Sequence, residues 1–169
     1  MTKRVVEVCA GIGGFSLAAE WAGWELVGHV EIDPFCERVL KARWPDVVHV
    51  GDIYDCRGDE FGPVDVLVGG IPCQPFSVAG RQKGERDPRH LWPEFKRLVE
   101  VIRPEWVVVE NVSGFVRMAL DAVWADLEDS GYAVGASVLP ACGVDAPHRR
   151  DRVWVVARNA VPDPDAVRR

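Results

Sequence analysis

Arg4-Val5-Val6-Glu7-Val8-Cys9-Ala10-Gly11-Ile12-Gly13-Gly14-Phe15 decides how this chain folds. Arg4 to Cys9 reads as a strand, and Ser16 to Ala22 as a helix. The turn between them holds three glycines in four positions. Glycine adopts backbone conformations closed to other residues and lets a ligand come close to the main chain. An ordinary tight turn has the same composition, so the pattern alone leaves both readings open. Open α/β sheets carry such a glycine turn between strand and helix where a ligand meets the backbone.

The order continues outward. Glu25 to Val30 is a second strand, ending in Glu31-Ile32-Asp33-Pro34. An acid after the second strand of such a fold can accept hydrogen bonds from ribose hydroxyls. Asp33 before Pro34 has the pattern of a helix N-cap, so the ribose falls to Glu31. The helix that follows buries Cys36, Val39 and Leu40 by their spacing. Val47 to Val50 is a short third strand, closed by Gly51-Asp52-Ile53. Asp52 suits an adenine amino group or a turn equally. Tyr54 to Pro63 reads as a polar loop, and Val64 to Val68 as a fourth strand.

That fourth strand runs into Gly69-Gly70-Ile71-Pro72-Cys73-Gln74-Pro75-Phe76-Ser77. A cysteine just beyond a buried strand, on a loop stiffened by proline, is placed to act as a nucleophile. Arg81, Lys83, Arg86 and Arg89 follow, and nearby positive charge favours a thiolate. A lone cysteine is more often a small buried hydrophobe, so the whole run carries the reading. A helix extends from about His90 to Ile102, with Leu91, Phe95, Leu98, Val99 and Ile102 on one stripe. Trp106 to Val109 is a fifth, continuously apolar strand that delivers Glu110-Asn111-Val112 at its carboxyl end, on the same sheet edge as Cys73. A glutamate after four apolar residues is costly to bury without a role. Leu120, Val123, Trp124 and Leu127 mark another helix, stopped at Gly131. Tyr132 to Leu139 and Arg152 to Ala157 are two further strands. Between them lies Pro147-His148-Arg149-Arg150-Asp151-Arg152, a second basic stretch suited to phosphate or base contact.

Composition bounds the class. The chain has 169 residues, 48% of them hydrophobic, enough for one domain with its own core. No apolar stretch is long enough to span a membrane, and no secretory signal is evident. Five scattered cysteines without a Cys-x-x-Cys pair point to no disulfide framework, no metal site and a reducing cytoplasm. The net charge of −6 argues against a dedicated DNA-binding module, though not against a local basic face.

In this order, from Val5 to Val156, the segments resemble the cytosine-C5 DNA methyltransferase family. The resemblance implies a doubly wound, mostly parallel sheet of the S-adenosylmethionine-dependent methyltransferase, Rossmann-like type, with one antiparallel strand near its end. It implies S-adenosyl-L-methionine as cofactor and S-adenosyl-L-homocysteine as product. The cofactor would lie against Ala10, Gly11, Gly13, Gly14 and Phe15, with the Phe15 ring on the adenine. Glu31 and Ile32 would serve the ribose side, Asp52 and Ile53 the adenine edge, and Gly70, Pro72 and Leu91 the remaining contacts. Cys73 matches the nucleophile, Glu110 the glutamate that engages the target base, and Arg150 and Arg152 the arginines near the flipped cytosine.

Double-stranded DNA is the implied partner, with no metal. The family's Asp-Leu-Phe is Glu7-Val8-Cys9 here, and its glutamine before the arginine pair is His148. Members normally continue into a target-recognition region. Residues 1–158 are therefore read as a catalytic core, and 159–169 as a tail or linker to such a region, which a separate chain could also supply. Two other readings share the core chemistry: a tRNA cytosine methyltransferase, and a cofactor-binding core inactive without a second segment. An amino-group methyltransferase would carry an Asp/Asn-Pro-Pro-aromatic motif, which Ile71-Pro72-Cys73-Gln74 is not.

Overall fold

The computed structural model describes residues 2–72 and 91–160. Its strands are β1 (Arg4–Val8), β2 (Glu25–Val30), β3 (Val48–Val50), β4 (Val66–Gly69), β5 (Trp106–Val112), β6 (Tyr132–Pro140) and β7 (Asp151–Asn159). Its helices are α1 (Gly14–Trp21), α2 (Pro34–Arg43), α3 (Trp92–Ile102), α4 (Phe115–Met118) and α5 (Leu120–Asp129). The strands form one sheet in the order β3-β2-β1-β4-β5-β7-β6. β1 to β5 pair in parallel, and β7 runs antiparallel to both of its neighbours. This is the doubly wound sheet expected from the sequence, with its antiparallel strand near the end.

Side-chain alternation builds a core on each face. Val6 and Val8 of β1, Leu67 of β4, Val107 and Val109 of β5, and Val153 and Val155 of β7 face α3 and α5. Phe95, Leu98, Val99, Val123 and Leu127 return the contact, which accounts for the helical spacing of those residues. On the other face, Val5, Val66 and Val68 pack beneath Ala19 of α1. The chain leaves β1 toward β2 and β3, then crosses back to β4 on the other side of β1. That reversal opens a crevice at the carboxyl ends of β1 and β4, where such sheets bind ligands.

Several boundaries differ from the sequence reading. β4 begins at Val66, two residues late, and just before it the Asp65 carboxylate accepts from the Arg4 amide at 2.8 Å. β5 runs on to Val112, so Glu110 and Asn111 lie inside the ladder with β7 and not beyond the strand. In α2, Leu40 is fully buried, while Cys36 and Val39 are half-buried. The expected polar loop 54–63 contains a single 3-10 turn, Asp59–Phe61, that buries Cys56 and Phe61. Phe61 fills the space over Gly28 of β2, where a Cβ would come within 2.2 Å of its ring.

Candidate active site

The glycine turn is shaped from behind and open in front. Gly11 and Gly13 have φ of +55° and +89°. A Cβ on Gly13 would lie 2.4 Å from the Trp44 ring, whose indole N–H is fixed by Glu20 at 2.8 Å. A Cβ on Gly11 or Gly14 would meet nothing within 4 Å. The turn therefore rests on Trp44 and exposes its backbone on the crevice side.

Glu31 ties this turn to β2. One carboxylate oxygen accepts from the Gly11 amide at 2.7 Å, and the other from the Asp33 amide at 2.8 Å. Each keeps a lone pair for a further donor. Asp33 caps α2, accepting from Phe35 and Cys36 at 2.9 Å each, and these bonds hold its carboxyl below its ordinary pKa. Asp52 accepts from the Tyr54 amide at 3.0 Å, so its turn role is realised. Ile32 is exposed beside the turn, whereas Ile53 is buried in the main core with its carbonyl bound to Arg97 at 3.0 Å. Cys9 sits at the turn's start, and burial, reinforced by Glu31, pushes its thiol up to about 12. It is no competing nucleophile at neutral pH.

Two of the expected cofactor contacts, Phe15 and Leu91, have packing partners within the protein. Phe15 packs under the sheet against the Val5, Ala19, Val66 and Val68 cluster, edge-on to Trp154 at 5.7 Å. Its ring is half-buried there, at the first turn of α1. Leu91 packs against the main core beside α3, outside the pocket described next.

An open pocket of about 320 Å³ lies at the carboxyl ends of β4 and β5. Gly70, Ile71, Pro72, Glu110, Asn111, Val112, Arg150 and Arg152 line it. That is near the small end of the ~300–1,000 Å³ usual for small-molecule sites. Arg152 Nε lies 2.7 Å from Glu110 Oε1, with both side chains about a quarter exposed. Arg150 has φ of +39°, an uncommon backbone for a residue with a Cβ. Its carbonyl and that of Arg149 face the Ala141 amide, which closes the β6–β7 connection. Cys73, and the basic stretch from Arg81 to Arg89, lie outside the described residues; Pro72, the last described residue before them, lines the pocket.

The chain matches the family model for C-5 cytosine-specific DNA methylase over residues 3–163. The chain belongs to this family. Among curated relatives it is 38% identical over 161 residues to Type II methyltransferase M.HgiBI of Herpetosiphon aurantiacus, covering 90% of this chain and 36% of that protein. It is 32% identical to M.HhaI of Haemophilus parahaemolyticus, covering 90% and 48%. It is 33% identical to M.AquIA of Picosynechococcus, covering 92% and 72%. The chain thus spans about a third to a half of the length of the first two relatives. Among solved structures, Spodoptera frugiperda DNMT2 superposes with a TM-score of 0.83 at 23% identity, covering 96% of this chain and 51% of that one. A putative prophage DNA modification methyltransferase from E. coli does so at 0.76 and 24%, covering 98% and 50%.

Within this methylase fold, two features escaped the sequence reading. Asn111 is buried, donates to the Ile71 carbonyl at 2.9 Å and accepts from the Val112 amide at 2.9 Å. It fixes the segment that leads to Pro72. Glu7, Ser16 and His29 form a second buried polar group under the glycine turn. The available signal was the same in both cases: a polar residue within an apolar strand. Among the described residues no cluster of His, Cys, Asp or Glu could hold a metal, and no helix is long and apolar enough to cross a membrane.

Proposed function

We propose that this methylase chain transfers a methyl group from S-adenosyl-L-methionine to C5 of a cytosine extruded from double-stranded DNA. The observation that carries the reading is the Glu110–Arg152 pair facing a pocket lined by Pro72, the residue that precedes Cys73 in the sequence. The cofactor fits the neighbouring turn. Gly11 and Gly14 leave their backbone uncovered, and the Glu31 carboxylate has lone pairs left for a ribose diol. Gly11 to Gly14, Glu31 and Ile32 would hold it, with Asp52 and Ile53 at the adenine edge. When bound, it supplies a methyl group as a sulfonium and leaves as S-adenosyl-L-homocysteine.

The chain's own residues supply the rest. Cytosine C5 is a poor nucleophile. Attack of the Cys73 thiolate on C6 forms an S–C6 bond and pushes the ring electrons toward C5. Glu110 faces N3 and the amino group, and Arg152 holds O2, so both meet charge as it develops on the ring. Arg150 steadies the neighbouring backbone. After methylation, loss of the C5 proton restores the double bond and expels the Cys73 thiolate. To reach these residues the target base would leave the stack, at a cost of a few kcal/mol, on the order typical of base flipping.

Sequence discrimination needs contacts to base edges, while phosphate contacts only position a protein. We assign it to a recognition region outside the segment shared with the relatives, in the same polypeptide or a second chain. The test is incorporation of labelled methyl into duplex DNA and, in parallel, into tRNA. The reading expects label at cytosine C5 in DNA. Label in tRNA alone would replace DNA as substrate, and label in neither, with recognition supplied, would overturn the reading.

A further inference from the structure

α1 begins without a cap of its own. Its N-cap is Gly13, which has no side chain to offer, and Trp44 forbids one there. The first turn of a helix leaves amide donors without intrahelical partners. Here the missing acceptor comes from the neighbouring strand. Glu7 shares the α1 face of β1 with Val5 and is 2% exposed. One of its oxygens accepts from the Phe15 amide at 3.1 Å, and the other from the Ser16 amide at 2.8 Å and from the Ser16 hydroxyl.

The proton positions then follow. The Ser16 hydroxyl has one hydrogen, which goes to Glu7. His29 Nε2, 2.8 Å from Ser16 Oγ, must therefore donate. His29 is fully buried and stacks on His49 with ring centroids 5.0 Å apart, and its Nδ1 has no partner. A neutral Nε2–H imidazole satisfies this geometry, and burial, reinforced by His49, holds its pKa down to about 4. Glu7 is thus the acceptor of three donors, two of them helix amides, at the positive end of α1.

The two ends of the glycine turn are each held by a carboxylate: Glu31 at Gly11, Glu7 at Phe15 and Ser16. We propose that Glu7, backed by Ser16 and His29, is a positioning residue for cofactor binding, capping α1 from outside the helix so that the glycine turn keeps its open face. The inference rests on the reading of that turn as the S-adenosyl-L-methionine site.

The test is calorimetric titration of the chain with S-adenosyl-L-methionine, with cooperative thermal unfolding followed for every variant. The Glu7→Gln amide offers one accepting oxygen and no charge, and is expected to weaken binding at least tenfold. Ser16→Ala removes one donor and strands the His29 N–H, and is expected to weaken it several-fold. Glu7→Asp restores the charge and is expected to bind more tightly than Glu7→Gln. Glu7→Gln binding within twofold of the unsubstituted chain, or Glu7→Asp no better than Glu7→Gln, would overturn the inference. If Glu7→Gln does not fold, Ser16→Ala decides, and unchanged affinity overturns it. Absence of binding by the unsubstituted chain would instead overturn the cofactor reading itself.

Discussion

Arg152 reaches Glu110 diagonally across the β5–β7 ladder. Glu110 pairs directly with Trp154, and Arg152 lies two residues before Trp154 on β7, on the same face, with Nε 2.7 Å from the carboxylate. Antiparallel register thus brings together two residues 42 positions apart in the sequence. Neither could be displaced by one residue without turning its side chain to the opposite face. Arg152→Ala and Glu110→Gln should each reduce methyl transfer by roughly 10²–10³-fold, the scale for losing one preorganised charge or donor. Arg152→Lys should fail to restore full rate, since an ammonium lacks the planar fork. Single-turnover transfer on a duplex substrate measures this. Wild-type rates in either variant would remove the pair from the chemistry.

Asn111 links β5 to the wall that ends in Pro72. Asn111→Ala leaves the carbonyl of buried Ile71 without its donor and the amide of the more exposed Val112 without that acceptor. The expected loss is about 1–3 kcal/mol of unfolding free energy. Methyl transfer should fall further than stability predicts, because the same bond fixes Ile71, two residues before Cys73 in the sequence. Denaturant unfolding and transfer rates on the same variant separate the two effects.

The glycines of the cofactor turn should part company. In Gly13→Ala the new Cβ must displace the Trp44 ring, and φ of +89° is strained as well. That variant should lose stability. In Gly11→Ala the Cβ points into open space, and the left-handed backbone costs about 1–2 kcal/mol. It should fold, yet lose cofactor affinity, because the methyl group occupies the face offered to the ligand. Melting curves alongside calorimetry distinguish the two. A Gly11→Ala chain with unchanged affinity would place the cofactor elsewhere.

Burial of neutral His29 gives stability a defined pH dependence. Its folded pKa, near 4, lies below the ordinary value of 6.5. The unfolded chain therefore binds a proton first as pH falls. His29's contribution is complete above about pH 6.5 and is lost progressively down to pH 4, on the order of 1–2 kcal/mol by pH 5. Glu7 acts with the opposite sign, since burial raises its carboxyl and the folded state holds that proton more tightly on acidification. Urea unfolding at pH 7.5 and pH 5 should show a net decline that His29→Phe reduces. An unchanged decline in His29→Phe would assign it to other groups.

The sheet was legible from the sequence because parallel strands buried on both faces read as apolar runs. Val66 to Val68 and Trp106 to Val109 are of that kind. The capping of α2 was legible too, since Asp33 and Pro34 act within their own helix. What was not legible depends on register or on distant packing. Glu110 was expected beyond β5, because nothing local shows that β7 extends the ladder to Val112. Phe15 belongs to a motif that suggests a ligand, but its ring orientation is set by Val5, Val66 and Trp154. Glu7 read as a departure from a family pattern, and its role appears only once α1 lies across β1.

The central claim is the covalent adduct between Cys73 and C6 of the target base. Release of the enzyme requires loss of a proton from C5. A fluorine at that carbon cannot leave as a cation, so the adduct to a 5-fluorocytosine should persist. The most direct measurement is mass spectrometry of the protein after incubation with S-adenosyl-L-methionine and a duplex carrying 5-fluorocytosine opposite a mismatch, which lowers the cost of extruding the base. The account predicts a protein–DNA adduct that requires the cofactor, maps to the peptide containing Cys73 and disappears in Cys73→Ser. An adduct that survives Cys73→Ser, or methyl transfer by that variant at the unsubstituted rate, would contradict it.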